Sequence, residues 1–422
     1  MKAYMVQSAK QIEPFGDHPR DCLIANRRLA DIQEEALRNL GLRLAIVPDG
    51  SLVHDPDEHI IFDDTLCFTT ELLSEFIERS RRLRSRTTCA LKPGVTTLRS
   101  VVATQDVQTH PEGIEYGLLY MPRQESRGEH QLLVIDPDQF FESVRFPAHM
   151  IGSNEYRIPL TDRVLVHINH WVNLWAANIC FLLAEGARLK KAPKIKLLGL
   201  ALRARSTNQW RVLRQLSRVG RNCDIHPTAY IEGSTIGENV KIGAGAIIRE
   251  SLVGDGTYIS NNATVDLSII GEGSTIHNNS AVQYSVLYPH ANVGARFVSL
   301  ALWGRDSLAG DGVTLADFRL DGESVRVFND GSEADTQNTF IGTCLGHRVY
   351  LGAGCVLAPV RMVPNDWRLA PERTRVISTC RPDGNVPGYR LIDGSRPGLP
   401  FEEVDTEGRE DYSFHTQAAI RQ

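Results

Sequence analysis

The sequence predicts an α/β domain followed by a left-handed parallel β-helix of hexapeptide repeats, on three observations. From Ile225 onward, apolar and mostly β-branched residues recur in steps of five or six: Ile225, Ile231, Ile236, Ile242, Ile248, Val253, Ile259, Val265, Ile270, Ile276, Val282, Leu287 and Val293. Glycine, asparagine or aspartate stands beside many of them, as at Gly233, Gly243, Asn261, Gly271, Asn278 and Gly294. Ahead of this series, short strands alternate with amphipathic helices, the pattern of an open sheet. A helix requires a period of about 3.6 and a flat strand a period of about 2, so the long series is neither. It fits a coil of three short strands, each sending one aliphatic residue into a narrow prism, with Gly, Asn or Asp at the corners.

Taken in order, residues 1–165 form the α/β domain. Gln33 to Leu40 is a helix stopped by Gly41, Leu44-Ala45-Ile46-Val47 is a strand, and Ile60-Ile61-Phe62 is a strand that runs into Asp63-Asp64. Leu72 to Leu83 is an amphipathic helix and Leu132-Leu133-Val134-Ile135 a further strand. This alternation predicts a largely parallel sheet.

Residues 166–221 are expected to be a helical, basic connector. Val164 to Ala184 carries no Asp, Glu, Lys or Arg, yet it holds His167, Asn169, His170, Asn173 and Asn178, which are costly in hydrocarbon. A buried strand and helix therefore fit it better than a membrane span. His167 and His170 lack a third ligand of metal-site spacing. From Arg188 to Arg221 the charges are all basic, and Trp210, Leu213, Leu216 and Val219 stand at three-residue steps, predicting one apolar helix face. Such a helix either docks on an anionic membrane surface or packs between domains.

The β-helix is expected over residues 222–365, with about 18 residues per coil and roughly seven or eight coils. A hairpin with Asp-Gly turns is expected near residues 320–332. Residues 366–422 read as a C-terminal extension, rich in Pro and Gly and then acidic.

Bulk properties narrow the function classes. A length of 422 residues accommodates two or three domains, and the formal net charge of −5 disfavours a nucleic-acid partner. The eight cysteines form no C-x-x-C pair, which argues against structural zinc and a disulfide framework and for a reducing, cytoplasmic setting. The N-terminal residues lack the apolar stretch of a secretory signal.

Two segments carry a family resemblance. Pro19-Arg20-Asp21-Cys22-Leu23, with the helix to Leu40 and Gly41, resembles the early segment of sugar-phosphate nucleotidyltransferases, and Ile60-Ile61-Phe62-Asp63-Asp64 resembles the strand whose terminal Asp binds Mg²⁺ there. Gly310 to Asp321, its hairpin, and Ile341-Gly342 to Pro359 resemble the β-helix of archaeal-type bifunctional proteins that couple sugar-1-phosphate nucleotidyl transfer to amino-sugar acetylation, the N-acetylglucosamine-1-phosphate uridylyltransferase type. The resemblance implies a degenerate nucleotidyltransferase sheet, a homotrimer built through the β-helix, Mg²⁺, and acetyl-CoA as acyl donor. It implies Arg20, Arg319 and Arg348 as contacts to a sugar phosphate or nucleotide sugar. Asp63 and Asp64 either hold Mg²⁺ with substrate phosphates or cap the helix that follows.

The chain also departs from that family. The Gly-rich phosphate loop is replaced by Val6-Gln7-Ser8-Ala9-Lys10-Gln11-Ile12, which has no glycine, and Arg20 stands where the family has Lys. The position of the family's catalytic histidine falls near Gly294. His290 is the nearest histidine, and His277 lies about a coil earlier. Asp317 replaces an Asn, and His347 is expected to line a cleft between subunits. The expected function is a divergent nucleotidyltransferase or acyltransferase of the nucleotide-amino-sugar pathway, with His290, His347 and Asp317 as catalytic candidates. The alternatives are a non-catalytic relative used for sensing or assembly, and a membrane-surface protein docked by the basic connector.

Overall fold

A computed structural model describes residues 1–123, 130–151, 153–206, 208–329 and 331–371. The predicted extension beyond residue 371, and Asp330 of the predicted hairpin turn, lie outside the described residues.

The first domain is built on a sheet whose main strands are β1 (Lys2–Val6), β2 (Arg43–Val47), β3 (His59–Asp63), β5 (Thr87–Leu91), β6 (Ile114–Met121) and β7 (Gln131–Ile135). Leu66–Phe68 is β4, which lies outside that sheet and pairs with β10 (Leu165–His167), while β8 (Phe140–Arg145) and β9 (Glu155–Leu160) form a separate antiparallel pair. Strand order in the sheet is β7-β5-β6-β3-β1-β2. Five of these six strands run the same way, so the sheet is largely parallel, with one exception: β6 runs antiparallel to both neighbours. Leu91 at the end of β5 pairs with Ile114 at the start of β6, so the connection stays at one end of the sheet and returns the chain reversed.

Two helices, α1 (Leu29–Asn39) and α2 (Thr70–Leu83), carry the apolar side chains that join one face of this sheet in a common core. The alternation of β6 shows which face: Ile114, Tyr116, Leu118 and Tyr120 are buried, while Glu115, Gly117, Leu119 and Met121 are not. Gly41 ends α1 with φ +69°, the left-handed conformation expected of a glycine stop.

The uncharged stretch from Val164 is a strand and a helix, β10 and α4 (Trp171–Lys190), with α3 (Val95–Arg99) preceding them in the chain. Thirteen residues of α4 are buried, because it packs against the first domain and the β-helix together; hence its lack of a polar stripe. Among the described residues no helix is long and apolar enough to cross a membrane.

The connector continues as α5 (Lys194–Ala204) and α6 (Gln209–Arg214). The apolar helix face predicted to reach Val219 stops sooner. Arg218 and Val219 pair with Thr235 and Ile236 and so belong to the first turn of the β-helix.

The β-helix has two faces of eight parallel strands each and a third of five. Ahead of the insertion its coils are shorter than the expected 18 residues: Ile225, Ile242, Ile259 and Ile276 stack on one another at intervals of 17 and Val293 and Ala309 at 16, whereas past the insertion Tyr350 and Arg368 stand 18 apart. Corners take left-handed backbone, and one column of them runs Asn222, Asn239, Gly256, Gly273, His290, Asp306. Inside, each coil repeats the same polar bond along one edge. The amides of Ser251, Ser268 and Ser285 each donate to the hydroxyl of the serine one coil earlier at 3.1 Å.

The insertion falls where the third face stops. Arg326–Asn329 pairs with Ser332–Asp335, so the hairpin is shifted by a few residues from its predicted span, and the Asp321-Gly322 turn lies outside it. It does not stand free. Val325 and Val327 are buried, and Asn338 Nδ2 donates to the Leu98 carbonyl of the first domain at 3.0 Å.

Candidate functional site

The loop after β1 occupies the place where the resemblance predicts a phosphate cradle. Asp64, fully buried, accepts from the Ser8 amide at 2.8 Å on one oxygen and from the Ser8 hydroxyl at 2.9 Å on the other. His18 Nε2 stands 3.3 Å from Asp64 and 3.0 Å from the Ser8 carbonyl. The Arg20 amide donates to His18 Nδ1, so Nε2 carries the proton and points into this cluster. Gln33, on α1, donates to the Asp64 carbonyl at 3.1 Å and accepts from Arg20 Nε at 3.3 Å.

Arg20 is therefore turned toward α1, where it also pairs with Glu34 at 2.9 Å. Asp64 caps no helix. Its carboxylate fixes Ser8, and α2 begins only after Thr69. Around it both carboxylate oxygens are engaged, and among the described residues no group of three or more His, Cys, Asp or Glu could hold a metal ion.

Asp63 points elsewhere. It lines a cleft of about 570 Å³ on the sheet face opposite α1 and α2, together with Asp49, Ser51 and Arg86, over a floor of Val6, Ile61 and Leu119. Gly117 makes room for it, since a β-carbon there would lie 2.8 Å from Asp63 Oδ2. Burial, then the charge of Asp64, raises the Asp63 carboxyl above its usual range. Behind the cleft, His167 is buried, accepts or donates to the Thr65 hydroxyl at 2.8 Å, and stacks on Tyr116 with ring centroids 5.7 Å apart. Burial pulls its pKa down to about 4, so it is neutral at pH 7.

His347 is buried at the junction of the two domains. Its Nδ1 accepts from the Arg305 amide at 2.9 Å, which leaves the proton on Nε2, 3.3 Å from Asp17. Arg305 also reaches Asp17, at 3.1 Å, and Phe15 packs on the His347 ring with centroids 5.1 Å apart. Burial alone would raise the Asp17 carboxyl, but His347 and Arg305 outweigh it and hold it below the usual range. Neighbouring bonds extend the junction: the Leu23 amide donates to Tyr288 Oη, Asn26 Nδ2 to the Ile270 carbonyl, and Asn365 Nδ2 to the Phe15 carbonyl, each at 2.8 Å.

The remaining predicted residues are dispersed. His290 is an exposed left-handed corner with φ +62°, its ring lying over Gly273 one coil below. Arg319 and Arg348 pair with Asp321 and Asp366 on the surface. Asp317 is half-buried beside Ser299, and burial raises its carboxyl. Ser8, His18 and Gln33 around Asp64, and Asp17 and Arg305 around His347, carried no periodicity or motif that would have singled them out.

Comparison with known families finds one similarity. The family profile of the GMPPB C-terminal domain matches residues 211–320, about a quarter of the 422 residues, spanning α6 and most of the β-helix ahead of the hairpin. A search among curated proteins gives no match.

Proposed function

We propose that this chain is a relative of the sugar-phosphate nucleotidyltransferases that binds a sugar phosphate or nucleotide sugar in the sheet-face cleft of its first domain without transferring a nucleotide. One observation carries the reading: Asp64, one of the two carboxylates that the resemblance would give to Mg²⁺, is fully buried and spends both oxygens on Ser8. A loop held shut by the carboxylate that follows β3 presents no row of free amides to a triphosphate. The cleft beside it keeps what sugar recognition uses: carboxylates of Asp49 and Asp63 for hydroxyls, Arg86 for a phosphate, and an apolar floor. The acyl-transfer reading has less support, because His290 is an exposed corner and both ring nitrogens of His347 are engaged by Arg305 and Asp17.

The test is a calorimetric titration of the full chain with a nucleotide sugar and a sugar 1-phosphate, beside an assay for pyrophosphate release with Mg²⁺ and nucleoside triphosphates. Binding that weakens about tenfold or more in Asp63→Asn and in Arg86→Gln, with no pyrophosphate released, is the expected outcome. Turnover that disappears in Asp64→Asn would overturn it, and so would the absence of binding by any such ligand.

A further inference from the structure

A second cavity, of about 490 Å³, lies between the first domain and the β-helix, away from the sheet-face cleft. Its volume is that of a small-molecule site. The wall is mostly apolar: Trp175, Ile179 and Leu183 from α4, Tyr284 and Phe297 from the β-helix, and Phe340 from the end of the insertion. Three separate pieces of chain therefore converge on one pocket.

Four charged side chains reach its lining, and they differ in how they are satisfied. Arg157 pairs with Glu155 at the surface, and Asp266 is bonded to Arg249 at 2.6 Å. Asp317 is beside Ser299, and burial shifts its carboxyl toward the neutral acid. Arg99 is the exception. Its guanidinium lies 3.9 Å from the centre of the Tyr156 ring, and one terminal nitrogen donates to Asn338 Oδ1 at 2.8 Å. Its Nε is closed off from solvent and has no partner, and among the described residues no carboxylate pairs with it.

Arg99 is also placed with care. Asp138 accepts from the first amides of α3, Val95 and Thr96, both at 2.9 Å, so the short helix that ends at Arg99 is pinned at its start. A guanidinium remains charged even when buried, and a buried charge without a counterion is strongly disfavoured. A pocket with apolar walls and one such cation at its edge is complementary to an apolar anion.

We propose that this cavity binds an apolar carboxylic acid of the fatty-acid class, its hydrocarbon body between α4 and the β-helix and its carboxylate on Arg99. The assignment is independent of sugar binding in the other cleft.

The full chain would be titrated calorimetrically with dodecanoate, dodecanol and dodecylamine, each below its micelle-forming concentration. Dodecanoate is expected to bind about tenfold or more tightly than the other two, since a charge-assisted bond to Arg99 is available to it alone. In Arg99→Gln the acid should fall to the level of the alcohol. Val144, at the cavity mouth and 40% exposed, gives a second variant that leaves the core intact: Val144→Trp should weaken all three ligands alike. The proposal is overturned if the wild-type chain binds none of them, if the three bind equally, if the amine binds best, or if Arg99→Gln, folded by its thermal melt, holds dodecanoate as before.

Discussion

In the β-helix the first coils repeat one arrangement every 17 residues, whereas in the first domain the buried polar groups around Asp64 and His167 are held by partners with no second copy. Ile242, Ile259 and Ile276 are interchangeable layers of one stack, and the serine amides at 251, 268 and 285 make one bond three times. Asp64 with Ser8, Gln33 with the Asp64 carbonyl, and His167 with Thr65 each occur once. Repetition makes the first kind of order easy to read, while singular contacts leave no period in the sequence of the second.

The comparison can be broken in four ways, from the largest expected effect to the smallest. Ile259→Ala should cost about 3–4 kcal/mol in urea unfolding of the β-helix, because the close-packed prism cannot collapse around the lost side chain. A loss below about 1 kcal/mol would mean that neighbouring coils absorb the gap.

The second test concerns acid. His167 has its folded pKa pulled from 6.5 to about 4, so the unfolded chain binds its proton first. Stability of the first domain is then fully present above pH 6.5 and is lost as pH falls toward 4, by about 3 kcal/mol. His167→Gln should remove that slope, as read from hydrogen exchange in β5 and β6; a slope that persists would point to another group.

The third test runs the other way. Burial, with nearby acidic charges, raises Glu250 of the β-helix from 4.5 to about 6. Here the folded state holds the proton longer, so β-helix stability should decline as pH rises from 4.5 to 6. Glu250→Gln should abolish this decline, and exchange of the Leu252 and Ile269 amides reports it. Opposite slopes in the two halves of one molecule would be the sharpest form of the contrast.

The smallest effect belongs to the corners. Asn262 has φ +56°, so Asn262→Ala should cost about 1 kcal/mol, with Asn262→Gly close to neutral. An alanine tolerated without loss would show that the corner relaxes out of the left-handed region.

The same contrast explains what could be read in advance. The β-helix was legible because one inward residue per strand writes its period into the sequence, from Ile225 to Val293. The length of its early coils is 17, one short of the expected 18, because the steps run six, five, six where three equal steps of six would give 18. The reversal of β6 was hidden, since alternation along a strand states which residues face inward and says nothing about direction. At the sites, Asp63 and Asp64 stood out as a pair, but adjacent residues leave a strand on opposite sides, one into the cleft and one onto Ser8. His347 was singled out, yet its partner Asp17 lies 330 positions away, a separation that no local pattern spans.

The junction between the domains has a consequence for how such a molecule can change length. Its contacts fall on Ile270, Tyr288, Arg305, His347 and Asn365, one on each of five successive coils. Neighbouring coils are about 4.8 Å apart, so this row works as a rack whose teeth must stay in step with residues 15–26. A whole coil added within those five would shift part of the row by a full tooth and unseat the first domain. Added before Leu252, it would lengthen the stack at the end that α6 leads into and leave the rack engaged. Growth and loss of coils are therefore free ahead of Leu252 and blocked between Ile270 and Asn365.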